Sequence, residues 1–154
     1  MWTPLRLSAC AALLLLLVAA AQAWDVNMKL TGRIMDAAKE VDHKCRESTG
    51  VPREMLHRYA DGETVDNDDF KCYLKCIMVE FNSLSEDGVF VLEEELENIP
   101  PEIKEEGHRV VHSCKHINHD EACQTAYQIH QCYKQSDPEL YSLVVRAFDA
   151  TIDA

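Results

Sequence analysis

The sequence predicts an all-α domain cross-linked by disulfides. Three observations carry this. Apolar residues recur at helical spacing along most of the chain, and no strand-like alternation competes. Six cysteines follow an apolar leader. Two of them, Cys72 and Cys76, stand four residues apart in a stretch that is apolar on its other side.

The leader comes first. Ser8 to Ala21 is an unbroken small and apolar run centred on Leu13 to Leu17, preceded by one charge, Arg6. Ala21-Gln22-Ala23 has the small-x-small pattern of a cleavage site, so residues 1–23 read as a signal peptide and residues 24–154 as one domain. The run is too short for a membrane span, which needs ~20 residues. Cys10 leaves with the leader, and the net charge of -12 becomes -13 when Arg6 goes. Such an acidic domain is expected to avoid nucleic acid and anionic membrane surfaces.

The first helix is predicted from about Met28 to Arg46, with Leu30, Ile34, Ala38, Val41 and Cys45 on one face. Gly50 and Pro52 break it, and Pro52 suits the first turn of a short helix through Tyr59. The acidic run Asp66-Asn67-Asp68-Asp69 leads into the central helix, Asp69 to Phe81, whose start its last aspartates are expected to cap. A calcium loop is excluded there, because the position that requires glycine holds Lys71. On the central helix the two thiols share one side. Phe70, Leu74, Ile77, Met78 and Phe81 fall within an arc of about 80° on the other, at ~100° per residue.

Beyond it, Glu86-Asp87-Gly88 signals a turn. A short helix over Glu93 to Asn98 stops at Pro100-Pro101. Longer helices follow from Glu102 to about Ile117 and from about Asp120 to Gln135. Asp137-Pro138 then restarts the chain as a cap with proline at the first helical position. Leu140 to Phe148 form an apolar tail with helical spacing, so residues 137–154 are a tail or an extra helix.

Six cysteines in an oxidising compartment imply three disulfides, with fifteen pairings open. Cys72 and Cys76 point the same way from one rigid helix and are expected to bond different partners. Zinc is disfavoured because no C-x2-C pair occurs.

The cysteine spacing C-x26-C-x3-C-x37-C-x8-C-x8-C resembles that of the six-cysteine insect odorant- and pheromone-binding proteins (the PBP/GOBP family). Cys72-Tyr73-Leu74-Lys75-Cys76 is similar to the family's Cys-Tyr-x-x-Cys helix. Glu86-Asp87-Gly88 with Leu92-Glu93 is similar to its turn into the fourth helix. Ile129 to Lys134 and Asp137 to Tyr141 are similar to the ends of members whose tail closes the pocket. The resemblance implies a compact six-helix fold around an apolar cavity, with bonds Cys45–Cys76, Cys72–Cys123 and Cys114–Cys132. It implies a carrier, not an enzyme, secreted into a fluid such as sensillum lymph, with a small hydrophobic ligand and no cofactor. A membrane chemoreceptor and a homodimer stay open as partners. Two departures stand out: Tyr133 follows the last cysteine where a tryptophan is common, and the tail runs about ten residues past Val144.

Periodicity does not separate a filled core from a hollow one. Three disulfides, each contributing roughly 2–4 kcal/mol, let a domain tolerate a cavity. The expected wall is Ile34, Ala38 and Val41; Tyr73, Leu74, Ile77, Met78 and Phe81; Leu92, Leu96 and Ile99; Val110 and Val111; Tyr127, His130 and Tyr133; and Tyr141, Leu143 and Val144 of the tail. Met78 is a flexible gap-filler. Tyr73, Tyr133 and Tyr141 are the expected hydroxyl donors.

His108, His112 and His116 recur every four residues, but away from the apolar face, and read as a solvated stripe with no metal. His130 falls inside an apolar arc. Its charging is expected to loosen the Leu140–Phe148 tail in acid. Catalytic patterns are missing: Asp42-His43 lacks the Cys-Cys-x-x-His-Asp context of secreted phospholipases, and neither Gly-x-Ser-x-Gly nor His-Glu-x-x-His occurs. The alternative to a carrier is a secreted interaction protein with a packed core and an acidic surface.

Overall fold

The acidic connector ends in a cap, but the capping residue is Asn67 and not one of the aspartates after it. Its side chain accepts a hydrogen bond from the Phe70 N–H, and Asp68 and Asp69 occupy the first turn, where the helix dipole favours them. The register settles this: the side chain that turns back onto the free N–H groups is the one just before the first helical residue.

The protein is described here from a computed structural model over residues 28–154. The proposed leader and Cys10 lie outside the described residues. Seven α-helices follow in order: α1 Arg33–Thr49, α2 Arg53–Ala60, α3 Asp68–Glu80, α4 Leu92–Asn98, α5 Lys104–Cys114, α6 Ala122–Ser136 and α7 Pro138–Asp153. A 3-10 turn, Pro101–Ile103, leads into α5, and a single β-bridge joins Leu84 to Phe90. No strand occurs among the described residues. The extra helix beyond the six expected is α7. Helix α1 starts later than its periodicity suggests, because Gly32 at φ 99° breaks the backbone before Arg33.

Helix α3 is the centre. Phe70, Tyr73, Leu74 and Met78 are buried, and the helix packs on α6 and α1. Its two cysteines bond different partners: Cys76 to Cys45 of α1 and Cys72 to Cys123 of α6. A third bond, Cys114–Cys132, ties α5 to α6. The thiol face of α3 thus clamps two other helices while its apolar face stays free to face inward.

Polar residues set the helix ends. Gly50 takes the left-handed conformation after α1 and returns its N–H to the Arg46 carbonyl at 2.8 Å. Glu121 caps α6 on the N–H groups of Cys123 and Gln124, and Asp137 caps α7 on that of Leu140.

Helix α7 has no fully buried residue, yet it is apolar along most of its length. It lies across α1, α2 and α6. Leu143, Val144 and Ala147 rest on a small cluster of Leu30, Met35 and Ile103, while Tyr141, Val145 and Phe148 rest on the main core. The helix covers the molecule without entering its centre, and no disulfide holds it. Among the described residues no helix is long and apolar enough to cross a membrane.

Candidate ligand-binding cavity

Between α7 and the centre lies an apolar cavity of about 130 Å³. Its floor is Phe70, Tyr73, Leu74, Ile77 and Phe81, the inward face of α3 and the residue after it. Helix α2 supplies Arg53, Leu56, Tyr59 and Ala60. Helix α1 adds Ile34, and α6 adds His130. Helix α7 forms the roof with Tyr141, Val144, Val145, Phe148, Asp149 and Ile152. A cavity of roughly 150 Å³ lined by apolar side chains stays dry and takes a benzene-sized guest.

Of the residues expected on the wall, Ile34, Tyr73, Leu74, Ile77, Phe81, His130, Tyr141 and Val144 line this cavity. Ala38, Val41, Met78, Val110, Val111 and Tyr127 are buried in the packed core beside it. Leu92, Leu96 and Ile99 lie partly buried against that core, and Leu143 packs on the smaller cluster. Tyr133 is buried and donates to Glu95 Oε1 at 2.9 Å. Helices α4 and α5 therefore contribute nothing to the cavity wall.

Sequence reasoning missed Arg53, Leu56, Tyr59, Ala60, Phe70, Val145, Phe148, Asp149 and Ile152. The signal was present for α7. Tyr141, Val144, Val145, Phe148, Asp149 and Ile152 continue one helical face at spacings of three and four.

The hydroxyls expected to reach a ligand are already engaged. Tyr73 donates to Asp42 Oδ1 at 2.8 Å, and Arg46 Nε holds the other oxygen of this fully buried carboxylate at 2.8 Å. Tyr141 stands between Tyr59, whose hydroxyl it meets, and His130 Nδ1 at 2.8 Å. Burial pushes Tyr59 up to about 12 and Tyr141 well above the usual phenol range. Burial also lowers His130 from 6.5 to about 4. The imidazole is therefore neutral at neutral pH, and its Nδ1 shares a hydrogen bond with the Tyr141 hydroxyl.

At the end of the cavity nearest the C-terminus, α2 and α7 meet through charges. Arg53 Nη2 lies 2.9 Å from Asp149 Oδ1 and 2.8 Å from Asp153 Oδ1, and also donates to the Asp149 carbonyl at 3.0 Å. His57 Nδ1 is 3.0 Å from Asp149 Oδ2. Ligand atoms of His57, Asp149 and Asp153 lie within 4.8 Å of one another, a spacing a metal could use. Arg53 already binds both carboxylates and would repel a cation there. In the histidine stripe, His112 and His116 are exposed. His108 is half-buried, with a buried Nε2 that has no partner among the described residues.

Comparison with known proteins gives a consistent picture. A model of the PBP/GOBP family matches residues 28–136, which end where α6 ends. A crystal structure of a Locusta migratoria odorant-binding protein has 93% identity and a TM-score of 0.81, covering 82% of this chain and 98% of that one. Odorant-binding protein 7 from Anopheles gambiae, solved in complex with an azo compound, has 25% identity and a TM-score of 0.63, covering 73% of this chain and 93% of that one. General odorant-binding protein 69a of Drosophila melanogaster is 26% identical over 108 residues, 70% of this chain and 73% of its own length.

Proposed function

This chain belongs to the PBP/GOBP family, and from that premise we propose that it is a secreted carrier that takes up small hydrophobic molecules in the cavity beneath α7. The observation that carries the reading is the cavity itself. Its wall is apolar except for a few engaged polar groups, and it lies in a core braced by three disulfides. Uptake would come from releasing water and from close packing. The Anopheles gambiae relative, solved in complex with an azo compound, is a precedent for a bound organic molecule in this fold.

We further propose that release is favoured in acid. His130 supports this, because its neutral ring is hydrogen-bonded to Tyr141 on the roof helix and its protonation is opposed by burial. Delivery to a membrane chemoreceptor and secretion after loss of residues 1–23 belong to the same reading.

The carrier reading is tested by titrating purified, oxidised protein with a hydrophobic fluorophore. Saturable uptake that an unlabelled aromatic ligand displaces is the expected result. No uptake would favour the packed interaction protein instead.

A further inference from the structure

A surface groove of about 370 Å³ runs between the start of α7 and the start of α5, apart from the cavity beneath α7. Its floor is apolar: Met28, Ile103, Leu140 and Leu143. Its rim is acidic. Glu102 is engaged by Thr31, whose N–H donates to Oε2 at 3.2 Å and whose hydroxyl donates to Oε1. Asp137 caps α7. Glu106 and Glu139 are exposed, and their carboxylates meet no partner among the described residues. The Thr31–Glu102 contact holds the chain against this groove, and Met28, still 37% exposed, forms part of its floor.

We propose that this groove seats the chain's own N-terminal segment, residues 24–27, with the Trp24 indole on Leu140 and Leu143 and the Trp24 α-ammonium against Glu106 and Glu139. This rests on the secretion reading, because loss of residues 1–23 is what creates that ammonium. The reach is sufficient: four residues extend at most about 14 Å, so Trp24 stays close to the groove that Met28 lines. The residue pattern fits as well. In an extended segment alternate side chains share a face, so Trp24, Val26 and Met28 fall together, with Asp25 and Asn27 opposite. Asp25, the one acid of the segment, is thereby turned away from the carboxylate rim. An α-amine titrates near about 7.7–8.0, so it is cationic at neutral pH and complements the rim. A second copy would instead bring another strongly acidic surface to the same carboxylates. Leu140, Leu143 and Glu139 belong to α7, which no disulfide holds. The seated segment therefore straps the first turns of the roof helix to α5.

Trp24 is the only tryptophan left once residues 1–23 are removed, so its fluorescence reports this segment alone. The chain is expressed with its leader, and N-terminal sequencing reads the start of the secreted, oxidised protein. Indole emission should lie to the blue of the urea-unfolded form, and acrylamide quenching should be several-fold weaker. Glu106→Lys with Glu139→Lys should move the emission to the red and restore most of the quenching, with far-ultraviolet dichroism unchanged. Asp87→Lys with Asp120→Lys makes the same charge change on exposed residues at the other end of α6 and should leave the indole shielded. An indole as open to quencher as in the unfolded chain overturns the proposal and leaves the groove to a separate basic partner. Shielding that survives the groove reversal, or that falls equally in the Asp87 and Asp120 variant, overturns it too. Shielding that grows with protein concentration assigns the cover to a second copy and does the same. A secreted chain that starts elsewhere than Trp24 removes the premise, a failure that the sequencing reports separately.

Discussion

His130 Nδ1 and the Tyr141 hydroxyl meet at 2.8 Å across the boundary between α6 and the roof helix α7. The sign of the pH effect follows from this pair. In the unfolded chain His130 takes a proton near 6.5, and in the folded protein only near about 4. Between those values the unfolded state holds more protons, so stability falls as pH falls, by at most ~3 kcal/mol. Above pH 6.5 this contribution is flat. Glu95 acts the other way, since burial raises its carboxyl and its folded form gains a proton first on acidification. Around α7, Arg53, His57, Asp149 and Asp153 also add charge. The informative quantity is therefore a difference between proteins. We expect His130→Phe to flatten the fall in melting temperature and ligand affinity between neutral pH and pH 4 relative to wild type. An equal acid loss in the variant would remove His130 from the release mechanism.

Ala60 offers a test of the cavity as an empty space. It is buried, small and on the wall. Replacing it by leucine puts added carbon into a void, which stabilises by ~0.8 kcal/mol per methylene removed from water. Ala60→Leu is expected to raise the melting temperature by a few degrees and to cut fluorophore uptake sharply. Unaltered uptake would show that ligand binds elsewhere. A lowered melting temperature together with lost uptake would indicate overpacking, costing roughly 1–3 kcal/mol.

Asp42 is a fully buried carboxylate whose two oxygens are held by Tyr73 and Arg46, joining α1 to α3 behind the cavity floor. Asp42→Ala strands the Tyr73 hydroxyl in the core and should cost roughly 3 kcal/mol. Asp42→Asn keeps an acceptor and should cost less. Thermal melts at neutral pH check the order, and equal losses for both would mean that charge, not hydrogen bonding, holds the contact.

The helices were legible where a local rule applied. Cys72 and Cys76 at a spacing of four share one side of a helix and so bond different partners, and Asp137-Pro138 has the pattern of a helix start. The cavity was less legible. Periodicity says that Val110 and Ile77 point inward, but not that Val110 meets packed neighbours while Ile77 borders empty space. That depends on how far α7 stands from α3, a distance no residue encodes alone. Helix α2 was harder still. Its eight residues are barely two turns, so Leu56, Tyr59 and Ala60 made no pattern that stood out. Arg53 carries no signal of its own in the sequence, because its partners Asp149 and Asp153 are distant in the chain and only the packing of α7 brings them beside it.

The final prediction concerns α7 itself. It contributes six of the seventeen residues on the cavity wall, and none of the three disulfides reaches it. The bonds instead tie α3 to α1 and α6, and α5 to α6. Ending the chain at Ser136 should therefore leave a folded, cross-linked body with an open groove. Tyr59, Phe70, Leu74 and Ile77 would then lose the cover of Tyr141, Val145 and Phe148. Far-ultraviolet dichroism should fall only by the share of the lost helix, while binding of a dye for exposed apolar surface rises. Ligand affinity should drop, because a groove buries less of a small guest than a closed cavity does. The acid dependence of any residual binding should weaken as well, since His130 would no longer meet Tyr141. Full affinity with an intact acid response in the shortened chain would show that α7 is neither the roof nor the part that moves.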